Sequence, residues 1–361
     1  MRPQSLGVAA CALIAVGSFG AGATRYRGGL LRAAGLEHLS YGHGRALMDV
    51  LLTAGIFGLV VAWVLLWKPR PGLTQVRRSV CWWAGILAVS APILSRDVYS
   101  YLMQGAMLRD GFDPYSEGAA VNPGPYLWEV SHDWRNTTTP YGPLHLGMGK
   151  AVTWLVDENV TLGLVVYRLI SLAGFALIVW ALPRIAKQIG GDPALALWLG
   201  AANPVMLLHL IGGMHNEAVM VGLVSVGLLW CLRSRWCTPG IALIALAVSL
   251  KATAAVALPF VVWLMVKRRS ATTLGAAGML VACGAWALAV NVAVIQLVTW
   301  ASGTTWGWLE EITGNSKVIN PLAGPTLAAE LITPVLQLFD DTFRYNTALA
   351  WTRTVFSVLM L

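Results

Sequence analysis

The sequence predicts an all-α, polytopic membrane protein with about ten or eleven membrane helices, some short or re-entrant. Three observations carry that expectation. Only 12% of the 361 residues are charged and 57% are hydrophobic, whereas a soluble domain carries about 25% charged residues. Apolar runs of roughly 20 residues, enough to cross a bilayer, recur along the chain. The connections between those runs alternate between basic and acidic.

The first run, within "MRPQSLGVAACALIAVGSFGAGA", has the short basic start and small residues of a signal peptide. More spans follow, so it reads as a signal-anchor helix over 6–24. Further spans are expected at 46–67, 79–95, 160–182, 194–212, 216–233, 239–250, 254–266, 273–299 and 322–338. One set of connections holds Arg2, Lys68, Arg70, Arg77, Arg78, Arg184, Lys187, Arg233, Arg235, Lys267, Arg268 and Arg269, with Asp192 as its acid. Short basic loops stay in the cytoplasm. The opposite set of connections is the acidic one, so residues 96–159 and the 300–320 loop are expected outside. The net charge of +8 is read as topology and not as a nucleic-acid footprint.

Two segments, "TPGIALIALAVSL" and "TAAVALPFVVWLM", flank Lys251. Twelve helical residues rise about 18 Å, against a hydrocarbon core of about 30 Å. The pair is expected to enter and return, with Lys251 at its apex near the outer face. A cation at that depth is a functional candidate. It either snorkels outward or meets an anion such as a lipid-linked phosphate.

The five cysteines form no CxxC and read as small buried apolar residues. The 17 tryptophans punctuate the interfaces, as an anchoring belt or as sugar-stacking platforms. Trp134, with polar neighbours, is the candidate platform. No internal repeat of transporter type is visible. The sequence stops within an apolar run, "TVFSVLML", so either it is truncated or its last helix ends there.

The chemical centre is expected in 96–159, a segment rich in acids, aromatics and turn residues such as "GFDPY", "VNPGPY" and "TTTPYGPL". A loop of that length is functional or disordered, and its aromatics and prolines argue for order. Asp97 directly follows the third expected span. On a helix it shares a face with Ser100 and Tyr101. It is either a general base in a partly desolvated pocket or an interface acid paired with Arg96. Asp110 and Asp113 read as turn caps. In "GGMHNEAVMVG", Asn216 can cap a helix and Glu217 suits its positive end. Alternatively His215, Asn216 and Glu217 form a polar cluster that binds acceptor hydroxyls or orients Asp97. Two candidate ligands, His215 and Glu217, make a weak metal signal. The 300–320 loop either covers the site as a lid or lies in the interface.

"SRDVYSYLMQGAMLRDGFDPY", "DWRNTTTPYGPL", "GGMHNEAVMVGL" and "SLKAT" together resemble the actinobacterial polyprenol-phosphate-mannose-dependent α-1,6-mannosyltransferases, GT-C glycosyltransferases. The resemblance covers most of 79–320; members are usually longer, with further C-terminal spans. It implies one transmembrane GT-C domain over 1–361, in the plasma membrane, with an extracytoplasmic active site. It implies a polyprenyl-phosphomannose donor and a mannan or phosphatidylinositol-mannoside-anchored acceptor of the lipomannan and lipoarabinomannan core. Transfer would invert the anomeric centre, with Asp97 as base and Lys251 and Arg135 at the donor phosphate. Tyr99, Tyr101, Tyr115, Trp134, Tyr141, His215, Asn216 and Glu217 are the candidate sugar and acceptor contacts. No metal or other cofactor is expected. The alternatives are arabinosyl or glucosyl transfer, a phosphatidylinositol-mannoside enzyme, a lipid or solute transporter, or a non-catalytic scaffold.

Overall fold

A computed structural model describes residues 2–233, 237–269, 273–314 and 321–359, and every regular element among them is helical. Arg235 and Lys317 lie outside the described residues. The chain divides into two compact units, Met1–Trp308 and Leu309–Leu361.

The first unit begins with α1 (Pro3–Ala21) and α2 (Gly42–Trp67), which pack along their lengths. It continues with α3 (Leu73–Leu87), α4 (Asp97–Arg109), α5 (Pro143–Val156) and α6 (Val160–Gln188). Then come α7 (Pro193–Gly200), α8 (Glu217–Cys231), α9 (Cys237–Leu250), α10 (Ala257–Arg269) and α11 (Thr273–Ser302). The second unit holds α12 (Gly324–Gln337) and α13 (Tyr345–Leu359). These two pack through Ala329, Ala348 and Leu349, and Thr352 Oγ1 donates to Pro325 O at 2.8 Å.

Among the described residues, four helices are long and apolar enough to cross a membrane: α1, α2, α6 and α11. A bent pair, Pro193–Gly200 and Pro204–Gly212, adds a fifth if counted as one broken span. The expected continuous span at 194–212 is therefore broken, with an angle of 51°. Asn203 and Pro204 explain the break. Proline cannot continue the preceding hydrogen-bond ladder, and Asn203 Oδ1 caps the restart by accepting from Val205 N at 2.9 Å. The expected span at 216–233 is a 15-residue helix, rising only about 22 Å.

The third expected span, 79–95, is also corrected. Its helix ends at Leu87, and residues 88–96 form a non-helical linker containing Pro92. Asp97 thus starts a new helix instead of closing a span. Lys251 does stand at the expected break, between α9 and a 3₁₀ turn over Ala252–Val256.

The segment 96–159 is ordered by its own polar groups. Asp113 Oδ1 accepts from Tyr115 N at 3.0 Å, and Glu117 Oε2 accepts from Asp113 N at 2.9 Å. Asp110 instead binds Arg109 and Asn122, and the Arg109 guanidinium holds its carboxyl below the usual range. The helices α4 and α5 cross at Gly105 and Gly149. A Cβ on Gly105 would stand 2.6 Å from Gly149 Cα, so only glycine permits this backbone approach.

Not every tryptophan marks an interface. Trp82 is exposed, but Trp83 is fully buried and donates to Gln4 O. Trp63 and Trp198 stack at 4.5 Å, each indole N–H donating to the other's carbonyl, which clasps α2 to α7. Of the cysteines, Cys11, Cys231, Cys237 and Cys283 are buried as expected, and Cys81 is exposed.

Candidate active site

Asp97 is the first residue of α4, where the helix dipole and unpaired N–H groups favour a carboxylate. Its own N–H donates to Ser95 Oγ at 3.0 Å. Leu94, just upstream, has a φ of 64°. A bulky residue in that left-handed region marks a constrained turn.

Arg96 does not pair with Asp97. Its guanidinium lies over Tyr26 and Tyr99, 3.6 and 4.5 Å from their ring centroids. It donates to Thr24 O, Glu129 O and Glu129 Oε2. Glu129 is fully buried and also accepts from Tyr26 N at 2.6 Å and Arg27 N at 3.2 Å. This network frees Asp97 from its sequence neighbour and anchors the start of α4.

A second turn brings His215 to Asp97. Residues Leu207–Gly212 wind as a π-helix, a form frequent at functional sites. Met214 then turns with a φ of 55°. Ile93 N donates to Gly212 O at 3.1 Å, tying this turn to the linker before Asp97. Arg168 of α6 spans both pieces: it donates to Ser90 O at 2.7 Å, to Gly212 O at 3.3 Å and to Ile211 O.

The result is a polar chain. His215 Nδ1 lies 3.3 Å from Asp97 Oδ2 and 3.9 Å from Glu217 Oε2. Glu217 Oε1 pairs with Lys251 Nζ. Lys251 Nζ stands 5.4 Å above the Tyr141 ring. Tyr141 and Tyr101 meet edge to face at 5.6 Å, and both pack on His145. Burial first, with the charges of Asp97 and Glu217 adding, pushes both tyrosine hydroxyls above their ordinary values.

His145 is the buried hub. Its Nε2 lies 3.2 Å from Gln104 Oε1, and its Nδ1 lies 3.2 Å from Asn216 Nδ2. Those partners suit the neutral Nε2–H tautomer, which donates to Gln104 and accepts from Asn216. Burial, aided by the Lys251 charge, lowers its pKa from 6.5 to about 3. Asn216 occupies the helix N-cap position but makes no side-chain cap bond; its amide is committed to His145 instead. Several buried polar atoms around this cluster make no hydrogen bond among the described residues: Ser100 Oγ, His215 Nε2, Asn216 Oδ1 and Glu217 Oε2.

The fold thus gathers Asp97, Tyr101, Tyr141, His215, Asn216, Glu217 and Lys251. It separates Tyr99, Tyr115 and Arg135 from the cluster and leaves Trp134 at its margin. Tyr99 points to the opposite face of α4, where its hydroxyl donates to Ala23 O at 2.8 Å. Tyr115 is buried in another core, packed on Gly307. Trp134 is half-exposed and lines a narrow crevice with Ser100 and Gln104. Arg135 spends its guanidinium on the carbonyls of Val130 and Trp128 in its own loop. Four residues were not singled out by sequence: His145, Gln104, Arg168 and Glu129. Only the polarity of Arg168 inside an apolar run was a usable signal.

Residues 4–269 match the family model described as alpha-(1->6)-mannopyranosyltransferase, N-terminal domain. The chain belongs to this family. The gathered cluster, from Asp97 to Lys251, lies wholly inside the region of the family match. The chain is 52% identical over 372 residues to alpha-(1->6)-mannopyranosyltransferase A of Corynebacterium glutamicum, covering 97% of the chain and 76% of that protein. It is 40% identical over 336 residues to alpha-(1->6)-mannopyranosyltransferase A of Mycobacterium tuberculosis, covering 91% of the chain and 65% of that family member. It is 27% identical over 346 residues to alpha-(1->6)-mannopyranosyltransferase B of Corynebacterium glutamicum, covering 84% of the chain and 55% of that protein. The chain is therefore shorter than each of these family members. No solved structure matches it.

Proposed function

We propose that this chain, a membrane mannosyltransferase by family, transfers mannose from polyprenyl-phosphomannose to a growing α-1,6-mannan, with Asp97 as general base. The acceptor is free mannan or mannan carried on a phosphatidylinositol-mannoside anchor. The observation that carries the assignment is the contact of His215 Nδ1 with Asp97 Oδ2 at 3.3 Å. An imidazole N–H on one carboxylate oxygen fixes the group and leaves the other oxygen to take a proton.

An acceptor hydroxyl attacks the anomeric carbon of the donor. The bond from that carbon to the phosphate oxygen breaks, and the hydroxyl proton passes to Asp97. Attack opposite a β-linked phosphate yields an α-linkage. Polyprenyl phosphate leaves as an anion and needs no proton, so a second carboxyl acid of glycosidase type is not required. No resident metal is part of the proposal. Lys251 answers the charge on the departing phosphate by exchanging its partner Glu217 for it. The unpartnered atoms of Ser100, His215, Asn216 and Glu217 are suited to sugar hydroxyls. Arg135 is left out of this scheme because its guanidinium is bound to loop carbonyls.

From α2 onward, the alternation of basic and acidic connections supports an outer-face site. The donor then stays in the lipid while the acceptor arrives from water. The test uses membranes with wild type or Asp97→Asn at matched expression, labelled polyprenyl-phosphomannose and a short α-1,6-mannoside. Transfer by wild type and its loss in the variant are expected. Equal transfer by both would remove Asp97 from the chemistry.

A further inference from the structure

A cavity of about 540 Å³ opens between α1, α6 and the connection that follows α1. Its size falls in the range of small-molecule sites. It reaches Tyr99 and Met214, the neighbours of Asp97 and His215, yet none of Lys251, Glu217 or Tyr141 lines it. Its walls include Phe19 of α1 and Leu164, Val165, Leu169 and Leu172 of α6. Leu169 and Val165 are 61% and 49% exposed on a membrane-length helix, so the cavity continues onto a lipid-facing surface.

The rim is cationic. Arg25 and Arg32 line it, together with the one carboxylate Glu37. The connection over 22–41 carries Arg25, Arg27 and Arg32 against the carboxylate Glu37, and Arg45 on α2 pairs with Asp49 at 3.8 Å. It sits on the same side as Asp97, because Glu129 binds Arg25 and the backbone of Tyr26 while Arg96 binds Thr24 O. On the topology proposed above, on which this point rests, that side is outside. A short basic loop there runs against the positive-inside rule. Internal pairing does not absorb the charge. Glu129 is shared between Arg25 and Arg96. The Arg32–Glu37 pair, at 3.7 Å, is too exposed to be strong. Arg27 lies over the Trp128 ring at 4.3 Å.

An apolar trough with surplus cations at its mouth fits one ligand chemistry. We propose that this cavity binds an anionic amphiphile, its chain along α6 and its phosphate at Arg25 and Arg32, distinct from the phosphate position assigned to Lys251. The ligand is either a lipid-linked substrate or an anionic phospholipid of the bilayer.

The test is photolabelling of the full chain in phosphatidylcholine nanodiscs, read by peptide mass spectrometry. Three tail-diazirine probes are used: an isoprenyl phosphate, a phosphatidylglycerol and a phosphatidylcholine. Label on α6 or on residues 88–92 from either anionic probe, well above phosphatidylcholine, is expected. A lead for the isoprenyl phosphate supports a substrate lipid, and parity between the anionic probes supports a bilayer lipid. Arg32→Ser should cut anionic labelling about fivefold. Leu169→Trp, with melting unchanged, should block it by filling the trough. Equal labelling by phosphatidylcholine, no labelling, or indifference to Arg32→Ser would overturn the proposal. None of these readouts uses mannosyl transfer, so the site and the catalytic assignment fail separately.

Discussion

Asp97 Oδ2 and His215 Nδ1 meet at 3.3 Å although they come from distant parts of the chain. Neither the start of α4 nor the turn before α8 alone creates that contact. It depends on Ile93 N bonding Gly212 O and on Arg168 bridging Ser90 and Gly212. The pairing makes specific demands on variants.

Asp97→Asn keeps the shape but removes the base, and should lower the transfer rate by about 10² to 10⁴. His215→Gln should cause a smaller loss, through the orientation of the carboxylate. Single-turnover transfer at saturating donor measures both. A larger loss for His215→Gln than for Asp97→Asn would reverse their roles.

Lys251→Ala should weaken donor use more than acceptor use, because the ammonium is assigned to the phosphate. Roughly a tenfold fall in kcat/KM for the donor corresponds to about 1.4 kcal/mol. Lys251→Arg should recover part of it. Steady-state kinetics with each substrate varied in turn tests this; an effect confined to the acceptor KM would contradict it.

His145 gives a pH signature in stability. Its pKa is lowered from 6.5 to about 3 in the folded protein, so the unfolded chain binds the extra proton first. Above pH 6.5 it contributes no pH dependence; as pH falls from 6.5 toward 3, the folded state loses stability. His145→Gln should flatten that part of the profile even if it lowers melting temperature overall. Melting in detergent from pH 7.5 to about 4.5 measures the slope. An unchanged slope would mean that His145 is not the titrating group.

The Gly105–Gly149 crossing should be intolerant. Gly105→Ala places a Cβ against the backbone of Gly149 and should destabilise by about 1–3 kcal/mol. Gly85→Ala, on α3 with nothing within 4 Å, should be neutral or mildly stabilising. Thermal melting of the two variants gives the comparison, and similar losses would discount the close approach.

The cluster was partly legible beforehand. Asp97 and Lys251 stood out because a charge beside or within an apolar run is costly and needs a reason. His215, Asn216 and Glu217 stood out for the same reason at the start of a helix. Tyr99 and Tyr101 looked alike in sequence, but two residues turn a helix by about 200°. Tyr101 therefore faces the cluster while Tyr99 faces Ala23. Arg135 and Tyr115 looked available because their local partners are backbone carbonyls and a distant glycine, which leave no trace in composition.

By itself, the sequence determined the helical membrane class, the charge asymmetry of the connections and the break at Lys251. These follow from local hydropathy and from the length of helix a bilayer requires. Tertiary structure alone decided that Arg96 turns to Glu129 instead of Asp97. It alone made His145 a neutral hub for Gln104 and Asn216, and Arg168 the tie between two turns. Those outcomes depend on which helix faces meet, set here by two glycines and a bent span. Contacts between segments far apart in the chain have no local signature, because each partner alone is compatible with many packings.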